Sequence, residues 1–346
     1  MRRILTAFGC IDGGQTSGAQ RMAWRTTAAL ARRGHQTAVM TDAQLPAGGD
    51  AERWRRFETA GAAQTFAPDV VHAYDLAQPV VVQRAKELAD RAGACFALTP
   101  ASTPEWWPDI PAGERLCRQA DVVYVLTATE AERIRALGVD PARMRRLPSA
   151  PDLVGRPDPA AFRARYPVSD RSVLFLGRRV AAKGYRTLLD AAPLVWAARP
   201  DVTFLFAGPY GEPAAAPAFR TVTDRRIVDL GVVDDQLKHD ALAACDVFCL
   251  PTRADVFPLV FVEAWALGKP VVAGRFPGVG DVVRDGVDGL VVDHDPESVA
   301  AHLLDLLSDD AKRTALGRAG LLRVRAEMSW ERVAEAVEAG YPGRCC

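Results

Sequence analysis

"LAACDVFCLPTRADVFPLVFVEAWALGKPVVA", residues 242–273, sets two strand-like runs, "DVFCL" and "KPVVA", around one helical segment, "PLVFVEAWAL". Pro258 suits a first helical position, where its missing N–H costs nothing and its fixed φ is already helical. Gly268 suits the stop. Strand, crossover helix and strand in this order make a parallel unit.

The same alternation extends in both directions. "RILTAF", "QTAVMT", "DVVHAY", "CFALT" and "DVVYVL" form one series, with helices such as "GAQRMAWRTTAALARRG" and "QPVVVQRAKELADRAG" between them. "SVLFLG", "DVTFLFAG", "RRIVDLG", "DVFCL", "PVVAG" and "GLVV" form a second. Two such series predict an α/β chain with two doubly wound parallel sheets. The break falls in the proline-rich stretch 149–172. It divides the chain into an N-terminal domain, 1–155, a C-terminal domain, 156–328, and a final helix, 329–346, opened by Ser329 as N-cap. Sheets of this type bind ligands at the carboxyl ends of their strands, so two facing domains are expected to hold a site in the cleft between them.

The opening stretch also carries chemistry. Its helix start leaves N–H groups around Leu259 and Val260 free to meet an anion. Asp255, in the approach loop, suits sugar hydroxyls. Glu263 lies about 7–8 Å along the axis at 1.5 Å per residue, with its side chain leaning back toward the helix start. An acid at each end with bare N–H groups between matches a nucleotide-diphospho-sugar; two surface acids on an amphipathic helix is the competing reading. In "FLGRRVAAKGYRTLLDA", Arg178 follows a strand and Lys183 comes five positions later. Two cations at a strand end suit a diphosphate leaving group, though a solvated basic loop has the same composition.

In the first half, Gly13 and Gly14 of "GCIDGGQTSGAQ" permit close backbone approach, as in a donor-phosphate loop or an ordinary turn. Ser17 and Gln20 form a capping box for the next helix. His72, Tyr74 and Asp75 end the third strand and are the acceptor-side candidates, against the alternative of a hydrogen-bonded strand-end histidine. Trp106 is expected either to stack on an acceptor or to pack on a helix, as is Trp107. "DHD" at 293–295 precedes Pro296 and Glu297, so Asp295 reads as an N-cap and no metal is expected.

Several classes are set aside on composition. The 346 residues carry 43 Lys plus Arg and 43 Asp plus Glu, and a formally neutral chain offers no general case for nucleic acid. Arg25, Arg32, Arg33, Arg53, Arg55 and Arg56 read as a solvated face in preference to a membrane-docking patch. No apolar run approaches the roughly 20 residues that span a bilayer. The start reads as a strand rather than a signal peptide, and the seven scattered cysteines suit a cytoplasmic protein. A nicotinamide oxidoreductase would want Gly-x-Gly-x-x-Gly, which "FGCIDGG" does not supply. Alanine- and arginine-rich composition points to a GC-rich bacterial genome.

"GRRVAAKG", the 242–273 segment and "GVGDVVRDGVDGLVV" resemble the family-4 retaining glycosyltransferases of GT-B fold, whose hallmark is an acid-(seven residues)-Glu pair, preceded by Arg-(four residues)-Lys-Gly. "PDVVHAYD" and "SWERVAEAVEAGY" fit that family too. The resemblance implies transfer of a hexose from a UDP- or GDP-sugar, as co-substrate with no further cofactor, to a hydroxyl acceptor with retention of configuration. It implies that Arg178 and Lys183 hold the diphosphate and that Glu263 binds the ribose. It further implies that Asp255 contacts the donor sugar, with Phe257, Leu259 and Val260 beside it. Gly208, Val232 and Val233 would flank the base, and the last helix would cross back to the N-terminal domain. Asp255 stands where the family usually has Glu. Relatives often carry a histidine where "LTPASTPEWWP" has Ala101 and Ser102; Ser102 joins the acceptor candidates, and a nucleotide-sugar-binding protein with impaired catalysis is the alternative function.

Overall fold

Strands buried on both faces read as continuous apolar runs, and "VTFLFA" is buried at all six positions. The computed structural model describes residues 1–9, 17–42, 55–153 and 155–342. The chain forms two compact units, one of Met1–Ala150 with Met328–Cys346, the other of Pro151–Glu327.

In the first unit the strands are β1 (Arg3–Phe8), β2 (Gln36–Met40), β3 (Arg55–Phe57), β4 (Val70–Tyr74), β5 (Cys95–Thr99), β6 (Val122–Val125) and β7 (Met144–Arg146). Its helices are α1 (Gly18–Arg32), α2 (Ala60–Ala63), α3 (Pro79–Ala92), α4 (Ile110–Gln119) and α5 (Ala128–Ala136). Among the described residues the sheet order is β3-β2-β1-β4-β5-β6-β7, parallel throughout. Leu5, Val71, Phe96, Leu98 and Val123 form part of its core.

The second unit runs α6 (Pro159–Arg165), β8 (Arg171–Leu176), α7 (Tyr185–Ala198), β9 (Val202–Ala207), α8 (Ala215–Arg220), β10 (Ile227–Gly231) and α9 (Asp235–Ala244). It continues with β11 (Val247–Leu250), α10 (Leu259–Ala266), β12 (Val271–Gly274), α11 (Val279–Val282), β13 (Gly289–Val292), α12 (Pro296–Ser308) and α13 (Asp310–Glu327). The sheet order is β10-β9-β8-β11-β12-β13, again parallel. The order reverses direction between β8 and β11, the topological switch point at which such sheets take their ligands. The stretch expected as a break contains α6, capped by Asp158, whose carboxylate accepts the Ala161 N–H at 2.9 Å; Phe162 on this helix is buried.

The last helix, α14 (Trp330–Gly340), belongs to the first unit and packs on α1. Ser329 caps it by accepting the Arg332 N–H at 3.2 Å. Its acids meet the end of α1, Glu338 lying 2.8 Å from Arg33 and Glu331 lying 3.5 Å from Arg32. These arginines therefore have carboxylate partners rather than forming a bare basic face. Of the other arginines, Arg55 lies over the Phe57 ring, and Arg53 is outside the described residues.

Candidate functional site

The loops that leave β8 and β11 are stitched together at the switch point. The Arg253 N–H donates to the Ala182 carbonyl at 2.8 Å, and the Thr252 hydroxyl donates to the same oxygen at 3.1 Å. Gly184 takes φ +74° at the start of α7, and a Cβ there would overlap the Pro251 carbonyl oxygen. A single glycine thus lets the Lys183 turn sit against the β11 loop. Across that junction Lys183 Nζ donates to Asp255 Oδ2, and the two side chains are 21% and 15% exposed. Two residues proposed for one ligand from different segments, 72 positions apart, are joined. Arg178 is half-buried in the same loop.

Helix α10 begins at Leu259, with Pro258 as its N-cap, one residue later than expected. Pro258 has φ −66° but ψ 109°, so its ring angle suits a helix while its ψ remains extended. The first N–H groups of a helix have no intrahelical acceptor, and here they belong to Leu259, which is buried, and Val260, which is half-buried; Phe257 just before them is also half-buried. The helix closes with a Schellman motif. The Gly268 N–H donates to the Trp265 carbonyl at 2.8 Å and the Lys269 N–H to the Ala264 carbonyl at 2.9 Å, with Gly268 at φ +68°. Behind α10, Gly320 of α13 faces the Trp265 ring so closely that no Cβ would fit, which fixes the helix from its far side.

Glu263 is only 1% exposed. A carboxylate so buried needs a cation or several hydrogen bonds, and Lys238 of α9 donates to its Oε1 at 3.0 Å. The same ammonium donates to the Asp152 carbonyl at 3.1 Å and lies 3.8 Å from Asp235. Sequence reading missed Lys238. The available signal is a lysine in helical register with Ala241, Leu242 and Cys245, all of them buried.

Gly208, with φ +121°, is buried, and an added Cβ would overlap the Gly177 carbonyl. The glycine is required by backbone packing between the ends of β8 and β9. Its N–H donates to the Gly231 carbonyl at 2.7 Å, which joins β10 to the same rim. Beyond β10, Val232 is 72% exposed and Val233 half-buried.

In the first unit the candidates separate. His72 and Tyr74 do not face an open site, which corrects their reading as acceptor-side residues. Both are at most 1% exposed. His72 is hydrogen-bonded to Tyr341 at 3.0 Å and to Thr99 at 2.8 Å, and its ring stacks on Tyr74 at 4.3 Å between centroids. Burial without a charged partner depresses its pKa to about 3. Residues two apart on a strand share a face, and Tyr341, just past α14, lies against this one. Asp75 remains at the strand end, in the left-handed region at φ +72°, its carboxylate accepting the Ala77 N–H at 3.0 Å. Ala101, after β5, also takes the left-handed region, at φ +54°. Ser102 beside it accepts from the Trp107 indole at 3.2 Å. Trp107 is buried and packs on Gly113, whereas Trp106 is 38% exposed. Gly13 and Gly14 lie outside the described residues; the Ser17–Gln20 capping box that follows them is present. Asp295 caps α12 by accepting the Ser298 N–H at 2.7 Å, and Asp293 pairs with Arg275.

Two doubly wound parallel sheets of this order match the architecture of the GT-B fold, with the Lys183–Asp255 junction at the switch point of the second sheet. The family described as glycosyl transferases group 1 matches residues 170–309. The GDP-mannose-dependent monoacylated alpha-(1-6)-phosphatidylinositol monomannoside mannosyltransferase of Corynebacterium glutamicum is 30% identical over 267 residues, 71% of this chain and 70% of that protein. D-inositol 3-phosphate glycosyltransferase 1 of Catenulispora acidiphila is 36% identical over 239 residues, 64% of this chain and 57% of that one. The chain belongs to the glycosyl transferases group 1. Among solved structures, Anabaena HepE in complex with UDP-glucose superposes with a TM-score of 0.82 at 18% identity, covering 98% of this chain and 99% of that one. Sucrose-phosphate synthase from Thermosynechococcus elongatus gives 0.81 at 19% identity, covering 98% of each. Among the described residues no helix is long and apolar enough to cross a membrane.

Proposed function

We propose that this chain moves a hexose from a nucleotide-diphospho-sugar to a hydroxyl of a small-molecule, lipid or glycan acceptor, with retention of configuration. The observation that carries the reading is the junction at the β8/β11 switch point. There Arg178 and Lys183 share one rim with the open start of α10, while Asp255 and Glu263 stand on either side of that start. A diphosphate takes the cations and helix N–H groups. Glu263, held by Lys238, accepts from the ribose hydroxyls. Asp255 turns from Lys183 to the donor sugar when phosphate takes the lysine.

In the transfer, the bond between the anomeric carbon and the β-phosphate oxygen breaks as the acceptor oxygen bonds to the same carbon on the same face. The acceptor proton passes to the departing phosphate oxygen. Arg178 and Lys183 stabilise the charge that develops there. No side-chain base is needed, which accommodates Ala101 and Ser102 in the stretch where relatives often have histidine. Asp75, Ser102 and Trp106 are the remaining acceptor-side residues. The two relatives above are named for inositol-containing molecules, so a polyol is the first acceptor to offer. The cytoplasm suits a nucleotide-sugar enzyme whose Cys95, Cys117, Cys245 and Cys249 are buried free thiols.

The test combines binding with turnover. UDP-, GDP-, ADP- and TDP-sugars are screened by thermal shift, where a bound donor raises the melting temperature by mass action. The best donor is then assayed for transfer and for slow hydrolysis. Lys183→Ala and Glu263→Gln should each lower turnover by orders of magnitude, with folding of each variant checked by its melting temperature. Near-parental transfer by both variants would refute the proposal.

A further inference from the structure

We propose that Tyr210 is the surface on which the donor's nucleobase stacks, an inference that rests on the nucleotide-sugar reading. Tyr210 follows Gly208 and Pro209 at the carboxyl end of β9. That strand adjoins β8 on the side away from β11, one strand spacing of about 4.8 Å from the proposed diphosphate position. Exposed Val232 lies past the end of the next strand, β10. A nucleotide whose diphosphate sits at the switch point and whose base turns toward β9 and β10 meets this ring.

Tyr210 is 44% exposed, yet its ring is held on several sides. The hydroxyl donates to Asp229 Oδ2, and Asp229 Oδ1 accepts the Gly231 N–H at 2.8 Å and the Arg179 guanidinium. The guanidinium carbon of Arg179 lies 4.6 Å from the Tyr210 ring centroid and 4.3 Å from that of Phe219. Arg179 is fully buried and donates to the Phe206 carbonyl at 3.0 Å, while its Nε and Nη1 have no hydrogen-bond partner among the described residues. That guanidinium is thus committed to the two rings, one carboxylate and one backbone carbonyl. Backbone bonds fix the segment as well, from the Arg179 N–H to the Pro209 carbonyl at 2.8 Å and from the Gly211 N–H to the Arg179 carbonyl at 3.2 Å.

An exposed aromatic side chain gains little for the fold, but one already ordered supplies contact area to a ligand at low entropic cost. Arg179 and Phe219 lie against the ring on its inner side, and the 44% exposure of Tyr210 leaves ring surface for a planar partner. Every base has a π-face, so Tyr210 contributes affinity and leaves the choice of base to other groups.

The experiment is calorimetric titration of the full chain with UDP, GDP and inorganic pyrophosphate, comparing parent, Tyr210→Ala and Tyr210→Phe. Loss of one base–aromatic stack corresponds to about tenfold weaker binding. The expected result is a drop of that order for the preferred nucleoside diphosphate with Tyr210→Ala, unchanged pyrophosphate binding, and Tyr210→Phe within about twofold of the parent. Three results overturn the inference: a Tyr210→Ala affinity equal to the parent's, an equal loss for pyrophosphate, or an equal loss in Tyr210→Phe. The last two would assign Tyr210 to supporting its loop through Asp229. Failure of the parent to bind any nucleoside diphosphate would instead sink the nucleotide-sugar reading, and this inference with it.

Discussion

Two buried groups of the first unit titrate in opposite senses, and their separation by mutation is the sharpest test of its interior. His72, enclosed by Tyr74, Tyr124, Tyr341 and Thr99, has its pKa depressed by burial from 6.5 to about 3. A depressed histidine contributes stability that is present above 6.5 and is lost as pH falls toward 3, because the unfolded chain binds the proton first. Glu130, 3% exposed at the start of α5, has its pKa raised by burial from 4.5 to about 7, against the pull of the Leu126 and Thr127 backbone. A raised carboxyl contributes stability that is present below 4.5 and is lost as pH rises through 7. Between pH 5 and pH 7, at about 1.4 kcal/mol per pH unit of proton difference, His72 adds about 2 kcal/mol and Glu130 removes about 2 kcal/mol. The parent therefore gains almost nothing from this pair across that range. In Glu130→Gln the rise from His72 is uncovered; in His72→Gln the fall from Glu130 is uncovered. The measurement is urea unfolding at pH 5, 6 and 7, read as each variant's stability minus the parent's so that surface groups cancel. The two differences should diverge, one rising and the other falling by about 2 kcal/mol between pH 5 and 7. Differences that stay flat with pH in both variants would show that burial shifts neither group.

Three further outcomes are expected. Gly208→Ala forces a Cβ onto the Gly177 carbonyl at φ +121°, whereas Gly34→Ala, at φ +89°, meets open space. The first should cost about 3 kcal/mol or more and the second about 1 kcal/mol in urea unfolding, and equal costs would contradict the packing described. Lys238→Met should destabilise the second unit by about 3–5 kcal/mol, as expected on breaking a buried ion pair. Adding Glu263→Gln should recover part of that loss, and strict additivity in this cycle would show that the pair is not coupled. Asp255→Asn removes the counter-charge from Lys183, so UDP or GDP should bind about fivefold tighter by titration while sugar transfer falls; weaker nucleotide binding would argue that Asp255 does not restrain the lysine.

The central strands were legible because strands covered on both faces leave uninterrupted apolar runs, as in "CFALT" and "VTFLFA". β3, "RRF", and β7, "MRR", went unread. Each is a three-residue edge strand, and arginine at an edge guards against unwanted pairing while erasing the strand pattern. At the site, Lys183, Asp255 and Glu263 were legible from spacing along the chain. Their partners were not, because Lys238 reaches Glu263 from another helix and the Lys183–Asp255 junction forms only when two loops meet. His72 and Tyr74 were misread for the same reason. Period two places them on one face, but Tyr341, which lies against that face, stands 269 residues further along the chain from His72. Tyr210 gave no local signal, since its rigidity comes from Arg179 and Asp229 on neighbouring segments.

The return of α14 to the first unit sets an order of events during synthesis on the ribosome. The sheet carrying His72, Tyr74 and Tyr124 emerges early, but its cover comes from a helix made after the whole second unit. At 5–20 residues per second, that delay is roughly ten to forty seconds. The contiguous stretch Pro151–Glu327 can finish folding in that interval, so the unit that is first to be translated is the last to be sealed, and its aromatic face is exposed to chaperones meanwhile.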